Sequence, residues 1–537
     1  MVESGIVRLS HLFRDVPGFR IVGDPSTNVS YLSYRSSEAG PGHLFFCVPG
    51  FVRDGHDYAE EAVNRGAVAL CVERELDQPV PQVVVPSVRW AMGPAASALY
   101  EHPSARLAVA GITGTNGKTT SAFLTAFLLD EAGRRAGLLG TVERRIGGVT
   151  FPAERTTPEA VDIQRDLALM VDAGDQAGVL EVSSHALELG RAAGVTFAAV
   201  AFTNLTQDHL DFHKTLDAYF AAKTRLFLDP LFARNRPVAV VNVGDPFGAL
   251  LAERLTPDRL LTFAVTAEGG ETDDRVTRGD GRAGGPSVDI ELCRAAMDQR
   301  GSRGTLVLRG RAAAAVRRLQ GRPVVKGEHL VREIETSLLG PFNLANVLTA
   351  LGIGIGLGLD LDGMLDALPL FPGVPGRMER VEAGQPFSVV VDYAHTPDSV
   401  ENVLRTARRV AAGRLIAVLG CGGDRDRGKR PKMGRAAEEG ADVVILTSDN
   451  PRSEDPQAIL ADIVAGLQHP QRVEVEVDRR RAIARALRAA APGDMVLILG
   501  KGHETGQEFA DRTIPFDDRR VARELLAELG PDEGEAA

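Results

Sequence analysis

The stretch "RLAVAGITGTNGKTTSAFLTAFLLDEAG", residues 106–133, constrains the fold more than any other part of the chain. An apolar run leads into a glycine-rich loop, and the loop opens a helix-like segment. A strand, a glycine loop and a helix in that order call for an α/β fold, with backbone N–H groups and the helix dipole facing an anion. Gly117, Lys118 and Thr119 match the end of the phosphate-loop pattern G-x-x-x-x-G-K-[ST]. Ile112 stands where the first glycine belongs. Gly111 with Gly114 makes the loop a variant of that pattern, and a plain Gly-rich turn is the competing reading. In a phosphate loop, Lys118 would neutralise β/γ oxygens and Thr119 would ligate Mg²⁺.

The same rhythm recurs. "AGVLEVS", "FAAVAFTN" and "PVAVVNVGD" follow the loop helix, and "SVVVDYAHT", "RLIAVLGCGGD", "ADVVILTSDNPR", "VEVEV" and "DMVLILGKGHE" come after about residue 373. Alternating strands and helices predict largely parallel sheets covered on both faces. Many of the apolar runs end in a polar cluster, at the strand ends where α/β sheets bind ligands. Residues 1–106, with "HLFFCVPG", "AVALCVE", "PQVVVP" and a helix-like segment near Trp90–Tyr100, read as a small α/β domain. The Gly- and Arg-rich segment 266–332 reads as a loosely patterned antiparallel excursion, and the final "GPDEGEAA" as a frayed tail.

A length of 537 residues suggests about three domains. The expected boundaries are 1–106, 107–372 and 373–537. A net charge of -11 argues against generic nucleic-acid binding. Cys47, Cys71, Cys293 and Cys421 have no C-x-x-C spacing, which excludes a disulfide framework and a cysteine zinc site and fits a reducing compartment. No apolar h-region or spanning-length run is present, so a cytoplasmic chain with no membrane insertion is expected. A monomer is the expected state.

Of 61 basic residues only seven are lysines: Lys118, Lys214, Lys223, Lys326, Lys429, Lys432 and Lys501. A lysine kept in so Arg-biased a chain marks a place for an amine that can lose its proton. Helix 215–227, "TLDAYFAAKTRLF", carries an apolar stripe of Leu216, Tyr219, Phe220, Leu226 and Phe227, with Lys223 in its middle. A lysine there snorkels, is modified or faces a charged site. Just upstream, Asp208, His209, Asp211 and His213 crowd together, as a solvated loop, a strand-end cap or a metal site; Glu181 ends a strand.

Eleven strings in order, "GTNGKTT", "TTP", "EVSSH", "FTNLTQDHLDFH", "AAKTRLF", "GPFNLAN", "PGRME", "VDYAHTPDS", "GCGGDRDRGKRP", "TSDNPRSEDP" and "GKGHE", resemble the Mur ligase family, the ATP-dependent enzymes that build the peptide stem of bacterial peptidoglycan. The likeness spans about residues 30–520. It implies a small N-terminal α/β domain for a UDP group, a central P-loop-type ATPase domain with a mostly parallel sheet, and a C-terminal Rossmann-like α/β domain for an amino acid. It also implies that Lys223 carries a CO₂-derived carbamate. "DNPR" with "GKGHE" points to diaminopimelate added to a UDP-linked dipeptide through an acyl phosphate. An L-lysine-adding member is the alternative, and a P-loop ATPase switch or motor is the alternative outside the class.

Residue by residue, the resemblance implies ATP contacts at Gly114, Thr115, Asn116, Gly117, Lys118, Thr119, Thr120, Asn343, Arg377, Asp392 and His395. Thr119, Glu181, His209 and carbamylated Lys223 serve Mg²⁺; Lys118, Glu181, His209 and Lys223 carry catalysis. Leu32, Thr156, Thr157, Ser183 and Arg191 meet the UDP-dipeptide. Arg425, Asp449, Asn450, Pro451, Arg452, Gly500 and Glu504 meet diaminopimelate, with Arg452 gripping the carboxylate that lysine lacks. Tyr34 stands where a small hydroxyl is common in the family, and Leu189 where some members have glutamine.

Overall fold

The computed structural model describes residues 5–50, 53–266, 287–298, 301–325, 327 and 329–529. The chain forms three domains, each around its own sheet. The first sheet holds β1 (Arg20–Val22), β2 (Tyr31–Ser33), β3 (His43–Phe46), β4 (Ala69–Val72) and β5 (Gln82–Val84), in the order β1-β5-β4-β3-β2. The helix α1 (Val88–Leu99) packs Val88, Ala91, Met92 and Leu99 into its core, at the position expected near Trp90–Tyr100.

The central sheet begins with β6 (Ala108–Thr113), which feeds the glycine loop and α2 (Lys118–Glu131). Next come β7 (Ala136–Leu139), the hairpin β8 (Glu143–Ile146) and β9 (Val149–Pro152), and α3 (Ala160–Asp172). They are followed by β10 (Ala177–Glu181), α4 (Ser184–Glu188), β11 (Ala199–Phe202), α5 (Leu216–Leu228), β12 (Val238–Asn242) and β13 (Leu260–Val265). The spatial order continues into β14 (Ile290–Asp298), β15 (Gly301–Leu308) and β16 (Leu330–Thr336), giving β9-β8-β7-β10-β6-β11-β12-β13-β14-β15-β16. The strands from β7 to β14 pair in parallel. Both faces are covered, so β6 and β10 are buried throughout or nearly so, as a doubly covered parallel strand requires. The antiparallel excursion is real: β14, β15 and β16 form it. It also contains α6 (Gly310–Leu319), an Ala/Arg helix that the sequence reading did not anticipate. Residues 267–286 and the final "GPDEGEAA" lie outside the described residues. The helix α7 (Pro341–Gly356) then packs against α2 across the loop side of the sheet.

The third sheet contains β17 (Glu379–Arg380), β18 (Ser388–Asp392), β19 (Leu415–Leu419), β20 (Val443–Leu446), β21 (Glu474–Val475) and β22 (Met495–Leu499), ordered β17-β18-β22-β19-β20-β21. All but β17 pair in parallel. Helix α8 (Pro397–Val410) starts in a capping box of Thr396 and Ser399. Helices α9 (Arg479–Ala489) and α10 (Asp518–Leu529) pack on the opposite face, closing a second apolar layer. The carboxyl ends of β18, β19, β20 and β22 carry the polar clusters read from the sequence. Among the described residues no helix is long and apolar enough to cross a membrane.

Candidate active site

The loop between β6 and α2 turns on Gly114 and Gly117, both at positive φ. A Cβ at Gly117 would collide with Asn346 Oδ1, and one at Gly114 with Thr203 Oγ1. Gly117 caps α2 without a side-chain bond, which leaves the first-turn N–H groups for an anion. Thr115 is held by Tyr219, its Oγ1 donating to the phenol oxygen at 3.2 Å, and it accepts from Thr206 N at 3.0 Å. The Asn116 backbone N–H donates to Asn204 Oδ1 at 2.9 Å. Thr119 and Thr120 are buried in the first turn of α2.

Lys118 Nζ folds back to the carbonyls of Gly114 and Thr115, at 2.9 and 2.8 Å. Lys223 Nζ also donates to Gly114 O, at 2.8 Å, and lies 4.5 Å from the centre of the Tyr219 ring. Thr215 caps α5 through Ala218 N and sets its phase, so Lys223 faces inward at 1% exposure. Leu216, expected on the apolar stripe, is 38% exposed, because the first turn of α5 overhangs the core; the buried stripe starts at Tyr219. Burial, and then the neighbouring Lys118 ammonium, hold the Lys223 amine well below the ordinary lysine range. Burial also lowers Lys118, against the opposing pull of Glu181 and Asp208.

Glu181 ends β10 beside the loop. Its Oε2 accepts from Thr119 Oγ1 at 2.9 Å and Thr141 Oγ1 at 3.0 Å, and its Oε1 accepts from Thr141 N at 2.8 Å. His209 has a left-handed backbone (φ 54) and sits edge-on to His185, ring centres 4.8 Å apart. Burial holds its imidazole far below the ordinary histidine value, in the neutral form. Among the described residues no group of three or more His, Cys, Asp or Glu side chains could hold a metal ion. A cation here therefore needs the Thr119 hydroxyl, phosphate oxygens or a modified lysine besides Glu181. Hard oxygen donors of this kind suit Mg²⁺.

Thr156, Thr157, Ser183 and Arg191 come together on the β10 side. Thr141 Oγ1 accepts from Thr156 Oγ1 at 3.1 Å while donating to Glu181, and Thr157 Oγ1 donates to Glu181 O at 2.8 Å and receives Ser183 N at 3.0 Å. Arg191 pairs with Glu159 at 3.1 Å. Leu32 lies on β2 and packs against the first domain's core, a cluster that also takes in Ala160 and Val161 of α3. Tyr34, out of pattern in the sequence, has a specific partner. Its hydroxyl donates to Asp162 Oδ2 on α3 at 2.6 Å, joining the first domain to the second. Leu189 ends α4 as its C-terminal cap.

Asn343 lies in the first turn of α7, donating to Leu339 O and accepting from Asn346, which in turn accepts from Ser121 of α2. The third domain reaches the loop directly. Arg377 Nη2 comes within 3.5 Å of Thr119 Oγ1, its guanidinium stacked 4.2 Å above the Tyr393 ring. Asp398 accepts from Asn116 Nδ2 at 2.9 Å, and Lys429 lies 4.0 Å from Asp208. The Asp392 carboxylate is taken up by the N–H groups of Met378 and Ala394, so in this state it fixes the turn that presents Arg377. His395 Nδ1 donates to its own loop at Tyr393 O, 2.9 Å away, and burial first, then Lys429, lowers its pKa to about 4.

At the ends of β19, β20 and β22 a second cluster forms. Arg452, at φ 52, pairs with Glu508 at 2.7 Å and donates to Gly423 O at 2.9 Å. Asn450 Nδ2 donates to Glu504 Oε2 at 2.7 Å. Asp449 lies against Gly500, where a Cβ would come within 2.6 Å of Asp449 Oδ2. Pro451 carries the carbonyl that receives Glu454 N. Arg425 is exposed and donates to its neighbour's carbonyl, Asp424 O. Sequence reasoning assigned no role to Thr141, Asn346, Asp398, Lys429 or Lys501. The scarcity of lysine flagged the last two, and "GPFNLAN" contains Asn346 three residues after Asn343.

Three profiles match in order: "Mur ligase family, catalytic domain" over residues 28–107, "Mur ligase middle domain" over 112–290 and "Mur ligase, glutamate ligase domain" over 376–502. The chain belongs to the Mur ligase family. Members of this family are ATP-dependent ligases, so the chain is an enzyme of that class. It is 42% identical over 526 residues to a UDP-N-acetylmuramoyl-L-alanyl-D-glutamate–2,6-diaminopimelate ligase of Geobacillus thermodenitrificans, covering 97% of this chain and 100% of that one. The same-named protein of Thermosynechococcus vestitus is 45% identical over 521 residues, 95% of this chain and 96% of the relative. A solved structure of a ligase of that name, 32% identical, superposes with a TM-score of 0.64 over 98% of this Mur ligase chain and 99% of its own.

Proposed function

We propose that this Mur ligase joins diaminopimelate to the D-glutamyl γ-carboxylate of UDP-N-acetylmuramoyl-L-alanyl-D-glutamate. The γ-carboxylate attacks the γ-phosphorus of ATP, the bond to the β-phosphate oxygen breaks, and ADP leaves. The amine of diaminopimelate then attacks the acyl phosphate carbonyl, loses a proton and expels phosphate. The full-length likeness to the diaminopimelate ligases supports this reading. The observation that carries the choice of amino acid is Arg452, which pairs with Glu508 and through it connects to Asn450 and Glu504 at the ends of β20 and β22.

The chemical obstacle is that two anions must meet, so charge neutralisation is the main catalytic term. Lys118 serves the β/γ phosphates once it leaves the Gly114 and Thr115 carbonyls. Arg377 adds a second cation from the third domain, beside Thr119. Asn343 and His395 flank the nucleotide. Thr119, Glu181, His209 and carbamylated Lys223 would hold Mg²⁺, which supplies further positive charge against the phosphoryl oxygens. The donor set fits, since Glu181 and Thr119 already meet at 2.9 Å and burial lowers the pKa of the Lys223 amine, which favours the form that adds CO₂. Carbamylation of the neutral amine forms an N–C bond, releases one proton and leaves a buried anion. Thr156, Thr157, Ser183 and Arg191 bind the peptide-bearing substrate, and Arg452 and Glu504 take the far carboxylate and ammonium of diaminopimelate.

A phosphate-release assay with the UDP-dipeptide and a panel of amino acids tests the proposal. Turnover with diaminopimelate far above that with L-lysine is the expected result. Comparable rates with both would overturn the assignment.

A further inference from the structure

The cluster at the ends of β20 and β22 contains a cation with no place in the mechanism so far. Lys501 is fully buried. Its Nζ donates to Asn450 Oδ1 at 2.9 Å and Glu504 Oε2 at 3.0 Å, and lies 3.7 Å from Asp449 Oδ1. Glu504 Oε2 thus takes both Lys501 and Asn450, which leaves Oε1 for a ligand. Asn450 Oδ1 also receives Glu508 N at 3.0 Å, and Glu508 pairs with Arg452. One buried ammonium therefore stands against two carboxylates, and through Asn450 it connects to the strand that orients Arg452.

A chain rich in arginine places a lysine here because three acceptors converge on one compact point, which a planar guanidinium does not fit. The arrangement has an electrostatic consequence. The far end of diaminopimelate is zwitterionic, whereas the far end of L-lysine is a bare cation. A pocket with uncompensated carboxylates would attract the bare cation more strongly than the zwitterion.

We propose that Lys501 determines specificity: its buried ammonium, bonded to Glu504 and Asn450, keeps the amino-acid pocket from becoming a cation trap and so excludes lysine. This inference rests on the reading of this cluster as the diaminopimelate site. Arg452 provides the attraction for the right substrate. Lys501 provides the repulsion against the wrong one, and a specific site uses both.

The experiment compares kcat/KM for diaminopimelate and for L-lysine in the wild-type enzyme, Lys501→Met and Asp449→Asn, with KM for ATP as a check on the fold. Removing the buried cation makes the pocket one charge more negative, and the preference for diaminopimelate should fall by about tenfold or more. Asp449→Asn changes the same balance in the opposite direction with almost no change of shape, and should raise that preference. It keeps the proposal testable if Lys501→Met does not fold. Equal losses on both amino acids in Lys501→Met, or an unchanged ratio in Asp449→Asn, would overturn the role of Lys501. A wild-type enzyme with no preference for diaminopimelate would instead overturn the functional reading itself.

Discussion

Lys118 Nζ and Lys223 Nζ share one acceptor, the carbonyl oxygen of Gly114, at 2.9 and 2.8 Å. Two amines at one carbonyl in a buried loop cannot both hold a proton cheaply. Lys118 keeps further contacts with Thr115 O and the field of Glu181, while Lys223 has burial and Lys118 against it. The lowered pKa of Lys223 favours its neutral amine, the species that reacts with CO₂.

Lys223→Ala should therefore lose most of the activity, and small carboxylates such as acetate should restore part of it by replacing the carbamate. Labelled bicarbonate should give a carbamate carbon signal in the wild-type protein that is missing from the variant. Full activity without Lys223 would contradict the assignment.

The same group makes stability depend on pH. The folded-state amine titrates below its unfolded value of about 10.4, so between the two values the unfolded chain binds more protons. Stability then rises with pH across that window. In bicarbonate-free buffer, Lys223→Met should melt a few degrees above the unliganded wild type at neutral pH. The difference should shrink as pH rises towards about 10. A difference independent of pH would show that the amine is not held low.

Arg452→Ala should raise KM for diaminopimelate roughly 10- to 100-fold, the value of one charge-assisted hydrogen-bond pair. KM for ATP should stay within about twofold, because Arg452 lies in the second cluster, away from the loop. Equal effects on both substrates would count against its role.

Tyr34 and Asp162 join the first two domains across 128 residues of chain. Tyr34→Phe should cost about 1 kcal/mol at this contact. Its kinetic signature should be a several-fold rise in KM for the UDP-linked substrate with KM for ATP unchanged. An unchanged KM for the UDP-linked substrate would leave the bond without a part in binding.

Arg479 and Asp518 form a fully buried ion pair at 2.6 Å, and Arg479 also donates to Leu499 O under the second cluster. Arg479→Met strands a buried carboxylate and should destabilise the third domain by about 3–5 kcal/mol, read by urea denaturation followed by circular dichroism. The double variant Arg479→Met/Asp518→Leu should recover much of that loss. No recovery would assign the stability to the backbone contacts instead.

Local signals were legible in the sequence. The loop could be read because its seven candidate residues, Gly114 to Thr120, are consecutive, and Lys223 because a cation interrupted an apolar stripe. Leu216 was misread because stripe periodicity does not show where a helix first meets the core. The helix Gly310–Leu319 was missed because its Ala/Arg composition resembles the loop segments around it. Asp398 and Arg479 gave no local sign: their partners lie 282 and 39 residues away, and only the packing of domains and sheets brings them together. The scarcity of lysine marked Lys501, but not its bond to Asn450, 51 residues away.

The central claim is that ATP is spent on making an acyl phosphate. The most direct measurement starts from UDP-dipeptide with isotopically labelled oxygen in the γ-carboxylate and follows the label during turnover with diaminopimelate. The account predicts one labelled oxygen in each phosphate released and none released without the dipeptide. Unlabelled phosphate, or ATP hydrolysis indifferent to the dipeptide, would contradict it.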